Sequence, residues 1–315
     1  MYVEKEKVIV IVGPTAIGKT DLSIQLAKEL QTEIISGDSM QVYKGMDIGT
    51  GKITKEEMAD IPHYMLNIRQ PNEDFSVATF KELVEEHIKV INEKGKIPII
   101  VGGTGLYIQA VLFDYQFSEQ KRDEKFTKEL ENLLEREGNI ALHEKLKKVD
   151  PIQASKIHPN NYRRVIRALE VFESTGKTMT ERHKTQNKTS KYDYVLIGLE
   201  MNRDKLYERI NRRVEKMVQD GLVEEVRALY DKGFSDTQAM KAIGYKELIP
   251  YLEQEMSLDE AVSILQRNSR RYAKRQYTWF KNQMDVTWFD AEKVANPTYL
   301  KGILQYIENS VTKTK

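Results

Sequence analysis

Val8-Ile9-Val10-Ile11-Val12-Gly13-Pro14-Thr15-Ala16-Ile17-Gly18-Lys19-Thr20 is the stretch that decides the fold. Five β-branched residues in a row read as a strand covered on both faces, since a half-exposed strand would alternate with polar residues. That strand runs directly into a G-x4-G-K-T loop, and Leu22, Leu26 and Leu30 follow at the spacing of one helix face. Glycines let such a loop curl until its N–H groups converge on phosphate oxygens at the helix N-terminus. Lys19 adds a positive charge, and the Thr20 hydroxyl is placed to ligand Mg²⁺. Gly13, Pro14, Thr15, Ala16, Ile17, Gly18, Lys19 and Thr20 are therefore the expected diphosphate- or nucleotide-binding residues.

Working outward, residues 33–36, 97–101 and 194–199 give further short apolar strands. Helical patterns lie between them, over 19–30 and over 76–94, the latter opening on a Ser cap and closing at Gly95. Strand–helix alternation predicts an α/β fold: a P-loop NTPase-like parallel sheet with a helical C-terminal part. From Gln116 to Tyr192 the strand signal disappears. Residues 126–137, 140–149 and 160–174 read as helices, and 176–191 as a polar loop. The expected organisation is a catalytic core of 1–115 and 193–315 with a helical insertion at 116–192. After Arg203 the chain reads as helix over 204–232, 239–253 and 257–282.

Composition narrows the function. The 315 residues carry 49 Lys and Arg against 48 Asp and Glu, a formal net charge of +1, so any basic binding surface must be local. Absence of cysteine removes disulfides, Cys-ligated zinc, iron–sulfur clusters and thiol catalysis. Residues 1–7 are charged and carry no apolar core of a signal peptide, and the longest apolar runs reach about a quarter of a membrane span. The expectation is a soluble cytoplasmic protein without membrane contact, working as a monomer.

The phosphate loop alone leaves the reaction open. An ordinary NTPase holds Mg²⁺ with an acid at a second strand end. Here the strand at 97–101 runs instead into Gly102-Gly103-Thr104-Gly105, and the acid at a strand end is Asp38. Ligands of open α/β sheets sit at the carboxyl ends of the strands, so Asp38, Thr104 and the loop should share one crevice. A carboxylate and a hydroxyl beside a phosphate cradle suit group transfer with a general base. Asp38 could equally begin a turn as a cap, and Thr104 could be a turn hydroxyl between glycines.

Gly13–Thr20 together with Asp38-Ser39-Met40-Gln41-Val42-Tyr43-Lys44-Gly45-Met46-Asp47-Ile48-Gly49-Thr50 closely resembles the tRNA dimethylallyltransferases. Ile61-Pro62-His63, Gly102-Gly103-Thr104-Gly105-Leu106-Tyr107, Arg167-Ala168-Leu169-Glu170-Val171, Gly244-Tyr245 and Tyr272-Ala273-Lys274-Arg275-Gln276-Tyr277-Thr278-Trp279 extend the likeness in the family's order. The resemblance implies transfer of a dimethylallyl group from dimethylallyl diphosphate to N6 of adenosine 37 in the tRNA anticodon stem-loop, with Mg²⁺. It implies Asp38 as the base for the N6 proton and Thr104 as a substrate-orienting hydroxyl. Arg209 and Arg213, four apart on one helix, take the positions of the family's diphosphate-binding arginines; pairing with Glu208 or Glu215 is the alternative.

For the RNA, the resemblance places Asp38, Ser39, Met40, Gln41 and Thr104 at the extruded base. Arg163, Arg164, Val165, Ile166 and Arg167 form one expected tRNA segment, and Lys241, Gly244, Tyr245 and Lys246 another. Residues 267–281 hold six basic residues and no acid, with Arg267, Arg271, Lys274 and Arg275 on one helical side. Such a stripe suits RNA phosphates, although charge runs are commonly plain solvated faces. Tyr272, Trp279 and Phe280 read as core. At one position the chain departs from the family: Thr127 stands where family members often carry an Arg that touches tRNA, so that either Arg122, Lys125 or Lys128 takes over or the contact is lost. His63, after a proline, reads as structural.

Two other readings compete. An adenylate isopentenyltransferase would modify free AMP, ADP or ATP, and a non-enzymatic nucleotide switch would share the loop. The insertion and the separate basic clusters favour a macromolecular acceptor. ATP could also enter the phosphate loop, since the cradle reads phosphates.

Overall fold

The computed structural model describes residues 5–115, 123–185 and 189–312. Arg122, one of the candidate replacements for the missing Arg contact, lies outside them. Two compact units are present, Met1–Phe113 with Ser190–Lys315, and Asp114–Thr189.

The larger unit is built on six strands, β1 (Lys7–Val12), β2 (Ile34–Ser36), β3 (His63–Tyr64), β4 (Ile99–Gly102), β5 (Asp193–Glu200) and β6 (Thr287–Asp290), in the order β3-β2-β4-β1-β5-β6. Every pairing is parallel. Alternation along β1 divides the core: Val8, Val10 and Val12 face one layer, Ile9 and Ile11 the other, and all five are fully buried. The first layer receives α3 (Val77–Glu93) and α4 (Gly105–Leu112), the second α1 (Lys19–Glu29) and α13 (Pro297–Thr312). Burial on both sides is the reason β1 has no polar alternation to display.

At the sheet's other end Glu33, 3% exposed, receives Lys94 at 2.9 Å, Lys96 at 3.0 Å and the Tyr64 hydroxyl at 2.7 Å. These partners overcome burial and hold its carboxyl down at about 2. A buried carboxylate is tolerable only when paired this fully.

Several expected elements are corrected. Strands β3 and β6 and the four-residue helix α2 (Lys55–Met58) lie outside the expected set. The helix expected over 204–232 is two, α9 (Arg203–Gln219) and α10 (Leu222–Tyr230), because Gly221 turns the chain at φ +103°. In place of a helix over 239–253 there is a short 3₁₀ turn, Ala239–Lys241, and the four-residue α11 (Ile249–Leu252). Gly244 at φ +104° stands between them. The helix α12 (Leu258–Gln283) opens on a capping box in which Ser257 and Glu260 each bond the other's backbone N–H.

The smaller unit is helical: α5 (Glu124–Val149, kinked at Gly138), α6 (Pro151–Lys156), α7 (Tyr162–Thr175) and α8 (Met179–Thr185). Its core is Leu130, Leu142, Leu146, Ala154, Val165, Ile166 and Leu169. Part of the expected polar loop is helical as α8. Asp150 anchors it, accepting the Thr180 amide at 2.9 Å and its hydroxyl at 2.6 Å, while also capping α6 through Gln153 N–H at 3.0 Å. Among the described residues no helix is long and apolar enough to cross a membrane.

Candidate active site

Three strand ends of the larger unit supply the site. The loop after β1 enters α1 through Gly18, whose φ of +101° places it in the left-handed region that favours glycine. Asp38 follows β2, and Thr104 follows β4. What brings the last two together is a close backbone approach. A methyl group on Gly102 would overlap the Gly37 carbonyl, so β2 and β4 meet here without a side chain between them. As a result Ser39 N–H reaches the Thr104 hydroxyl at 3.3 Å. Gly102→Ala should force the two backbones apart and destabilise the protein by about 1–3 kcal/mol, measurable by denaturant unfolding. An unchanged midpoint would mean the approach is not needed.

Lys19 extends back along its own loop, donating to the carbonyls of Gly13 at 3.0 Å and Pro14 at 2.7 Å. Burial, and then the neighbouring Arg213 charge, pushes its ammonium down to about 7 against the pull of Asp38. Arg213 lies over the backbone of Gly51, where a Cβ would collide with its guanidinium. Burial lowers its pKa too, opposed by Asp38 and Glu57. The Asp38 charge is also felt by Tyr272, raised to about 12 chiefly by burial, and by the buried Tyr107. One carboxylate thus stands within electrostatic reach of the loop lysine, a half-buried arginine and two phenols.

A diphosphate binds the protonated lysine, so its affinity should be full below pH ~7 and fall by up to about tenfold per unit above it. Measuring the dissociation constant from pH 6 to 9 checks this. Lys19→Arg, whose charge does not titrate, should flatten the profile. A rise of equal steepness in that variant would assign the titration to another group.

Asp38 does form the turn that its sequence context allowed: Oδ1 accepts Met40 N–H at 2.8 Å. Gln41 accepts the Ser36 hydroxyl at 2.9 Å and donates toward the Thr50 and Gly51 carbonyls, both at 3.4 Å. The 47–49 segment is clamped by Glu225, which accepts the amides of Asp47, Ile48 and Gly49 at 2.8, 2.8 and 3.0 Å and the Tyr245 hydroxyl at 2.6 Å. Tyr245 is fully buried, so its side chain orders this segment and offers no surface to RNA. Gly244, also buried, donates its N–H to Glu247 at 2.9 Å. Lys241 and Lys246 are exposed, the latter 3.8 Å from Glu247.

Arg209 is exposed one turn before Arg213, and Glu208 pairs with Arg212, at 3.7 Å. On α12, Arg267, Arg271, Lys274 and Arg275 are exposed. Arg270 and Lys281 are engaged within the protein, by Asn211 at 2.5 Å and Glu200 at 3.0 Å. Trp279 packs where Gly105 lacks a side chain, and Phe280 is fully buried. In the smaller unit Arg163, Arg164 and Arg167 are exposed, whereas Val165 and Ile166 are core and their side chains offer nothing to a surface ligand. Thr127 donates to the buried Glu170 at 2.7 Å, and Arg167 reaches the same carboxylate at 3.3 Å.

Two site residues escaped the sequence reading. Gln276 is 6% exposed. Its Oε1 accepts Thr15 N–H at 2.9 Å, and its Nε2 donates to the Gly103 carbonyl at 3.0 Å. Tyr272, four residues earlier, lies beside Thr104 and Gln276. The signal was available: Leu265, Ser269, Ala273, Gln276 and Phe280 form the buried stripe of α12, in which a glutamine is out of place unless its amide has partners.

For a metal, Thr20 presents an exposed hydroxyl at the start of α1, and the described residues contain no group of three or more acidic or histidine side chains. This donor set fits Mg²⁺ carried by a diphosphate, which keeps most of its ligands from phosphate and water.

The family model for IPP transferase matches residues 41–283. A tRNA dimethylallyltransferase of Bacillus cereus (strain AH187) is 57% identical over 311 residues, covering 99% of this chain and 97% of that protein. One from Bacillus anthracis is 57% identical over 309 residues, covering 98% and 96%. Among solved structures, the tRNA isopentenylpyrophosphate transferase of Bacillus halodurans superposes with a TM-score of 0.75 at 51% identity, covering 98% of both chains. A eukaryotic dimethylallyltransferase acting on tRNA gives 0.81 at 33% identity, covering 96% of this chain and 80% of that one.

Proposed function

The chain belongs to the IPP transferase family of tRNA dimethylallyltransferases, and from that premise we infer how its own residues carry out the transfer. The enzyme moves a dimethylallyl group from dimethylallyl diphosphate to N6 of adenosine 37, giving N6-isopentenyladenosine and diphosphate. A C–N bond forms as the allylic C–O bond breaks, and the N6 proton leaves to a base.

Asp38 is that base. The observation that carries the assignment is its position within the field of both Lys19 and Arg213. The carboxylate that takes the proton therefore adjoins the cations that receive the departing diphosphate. An exocyclic adenine amine is a weak nucleophile, so proton removal, charge neutralisation and placement must act together. Thr104 orients the substrate. The loop amides, Lys19, Arg213 and the more exposed Arg209 cradle the diphosphate. Mg²⁺, held at Thr20 and on phosphate oxygens, would add positive charge to the leaving group.

Adenosine 37 must be unstacked to reach this site. Ser39, Met40 and Gln41 line its approach beside Asp38. The exposed arginines and lysines of α12, Arg163, Arg164 and Arg167 of α7, and Lys241 and Lys246 supply phosphate contacts. Thr127 supplies no charge and spends its hydroxyl on Glu170, with Lys125 and Lys128 exposed beside it. The enzyme works as a cytoplasmic monomer, and ATP can occupy the same phosphate cradle, as competition with dimethylallyl diphosphate would reveal.

The deciding experiment supplies purified protein with Mg²⁺, labelled dimethylallyl diphosphate and, in parallel, unmodified tRNA and free AMP. Label on tRNA alone, mapped to adenosine 37, is the expected result. Label on AMP would move the assignment to the free-nucleotide enzymes, and label on neither would overturn transfer.

A further inference from the structure

We propose that Gln276 is a positioning residue that locks the phosphate loop to the turn carrying Thr104, so that donor cradle and acceptor hydroxyl are held as one unit. The inference rests on the transferase reading above. Its observations are local: one buried amide uses its oxygen on Thr15 N–H and its nitrogen on the Gly103 carbonyl. Gly103 has no side chain where the amide sits, and a Cβ there would occupy the same space. The residues joined lie in different segments, after β1 and after β4, and among the described residues no other side-chain hydrogen bond links those two loops.

The chemistry of the amide explains the residue type. A primary amide accepts from an N–H and donates to a C=O on the same planar head, and does so without titrating. A carboxylate would keep the first bond and oppose the second, oxygen against oxygen. An alkyl group would leave both Thr15 N–H and Gly103 C=O buried without partners. Because Thr15 N–H is taken by Gln276, it also does not compete for phosphate; the loop is shaped in advance. Tyr272, one helical turn away, lies beside both Thr104 and Gln276.

Both ends of the lock then bear on the reaction. Loss of the Thr15 anchor loosens the diphosphate cradle, and loss of the Gly103 anchor lets Thr104 drift from the reacting carbon. Gln276→Leu should therefore raise the donor KM and lower kcat together. Two orphaned buried groups predict a combined fall of ~10–100-fold in kcat/KM for dimethylallyl diphosphate. The tRNA dissociation constant should stay within about twofold, because the basic side chains of α12 point elsewhere.

Gln276→Glu separates positioning from simple packing. At pH 8 its carboxylate should repel the Gly103 carbonyl and weaken binding of an unreactive diphosphate analogue. As the pH falls and the carboxyl protonates, it regains a donor, and the ratio of variant to wild-type dissociation constants should return toward one. The transfer assay on wild type runs alongside. Normal transfer by wild type and by Gln276→Leu would sink the lock while leaving the enzyme's function standing; no transfer by wild type would sink the function itself. A Gln276→Glu binding ratio that does not change between pH 5.5 and 8 would also overturn the proposal.

Discussion

Asp38→Asn should slow transfer by ~10²–10⁴-fold, the range expected when a general base is removed, with tRNA affinity within about twofold of wild type. Asparagine preserves the shape of the turn, since its Oδ1 can still accept Met40 N–H, the 2.8 Å bond of the native aspartate. What it cannot do is take the N6 proton. It also removes the negative charge beside Lys19 and Arg213, and with it the pull that raises the Lys19 ammonium, so the cradle is more positive at a pH low enough to keep that lysine charged, where the assay is run. Donor KM should therefore hold or fall while kcat collapses, a split that disordering of the site would not produce. Single-turnover rates under saturating tRNA measure it. Near-normal turnover would remove Asp38 from its role.

Arg213→Ala should cost ~10²–10³-fold in kcat/KM for the donor, as loss of one preorganised partner to the leaving charge does elsewhere. The guanidinium is half-buried against the Gly51 backbone and shares its surroundings with Lys19 and Asp38, so water cannot readily replace it. Arg213→Lys should rescue only part, since a point charge does not reproduce the planar fork. A second consequence is specific to this neighbourhood. Arg213 helps depress the Lys19 ammonium, so its removal should move the pH at which donor binding weakens upward from about 7. Arg209→Ala, at an exposed position one turn away, should cost less than about tenfold, because solvent screens its charge. Equal losses for the two arginines would mean that burial does not rank them.

The parts of this site that could be read from the chain are those encoded over a few consecutive residues. The phosphate loop is announced by the uninterrupted apolar strand before it and the leucine spacing after it. Asp38 and Thr104 are announced because each directly follows such a strand. Strand β3 has two residues and half-buried side chains, too short for any periodicity, and β6 is an edge strand whose Thr287–Asp290 segment is half-buried throughout. The Gly221 break within an otherwise continuous helical pattern depends on one backbone angle. Tyr245 is expected at the RNA because the resemblance covers its segment, yet its hydroxyl turns inward to Glu225, a partner twenty positions away that spacing does not reveal. Gln276 was hidden among arginines and lysines that face the other way; only its place on the buried stripe of α12 distinguishes it.

The bond between Thr15 and Gln276 spans 261 residues of sequence. At ~5–20 residues per second, a ribosome that has made the phosphate loop needs roughly 13 to 50 s more to deliver the glutamine. Through that interval the nascent chain carries the anion-binding motif but not the amide that fixes it, and Asp38 is already present beside it. The chain therefore matures its donor pocket last. A truncated product ending before α12 would keep the residues that mark the family at its beginning, yet would lack both the lock and the helix that bears the basic stripe.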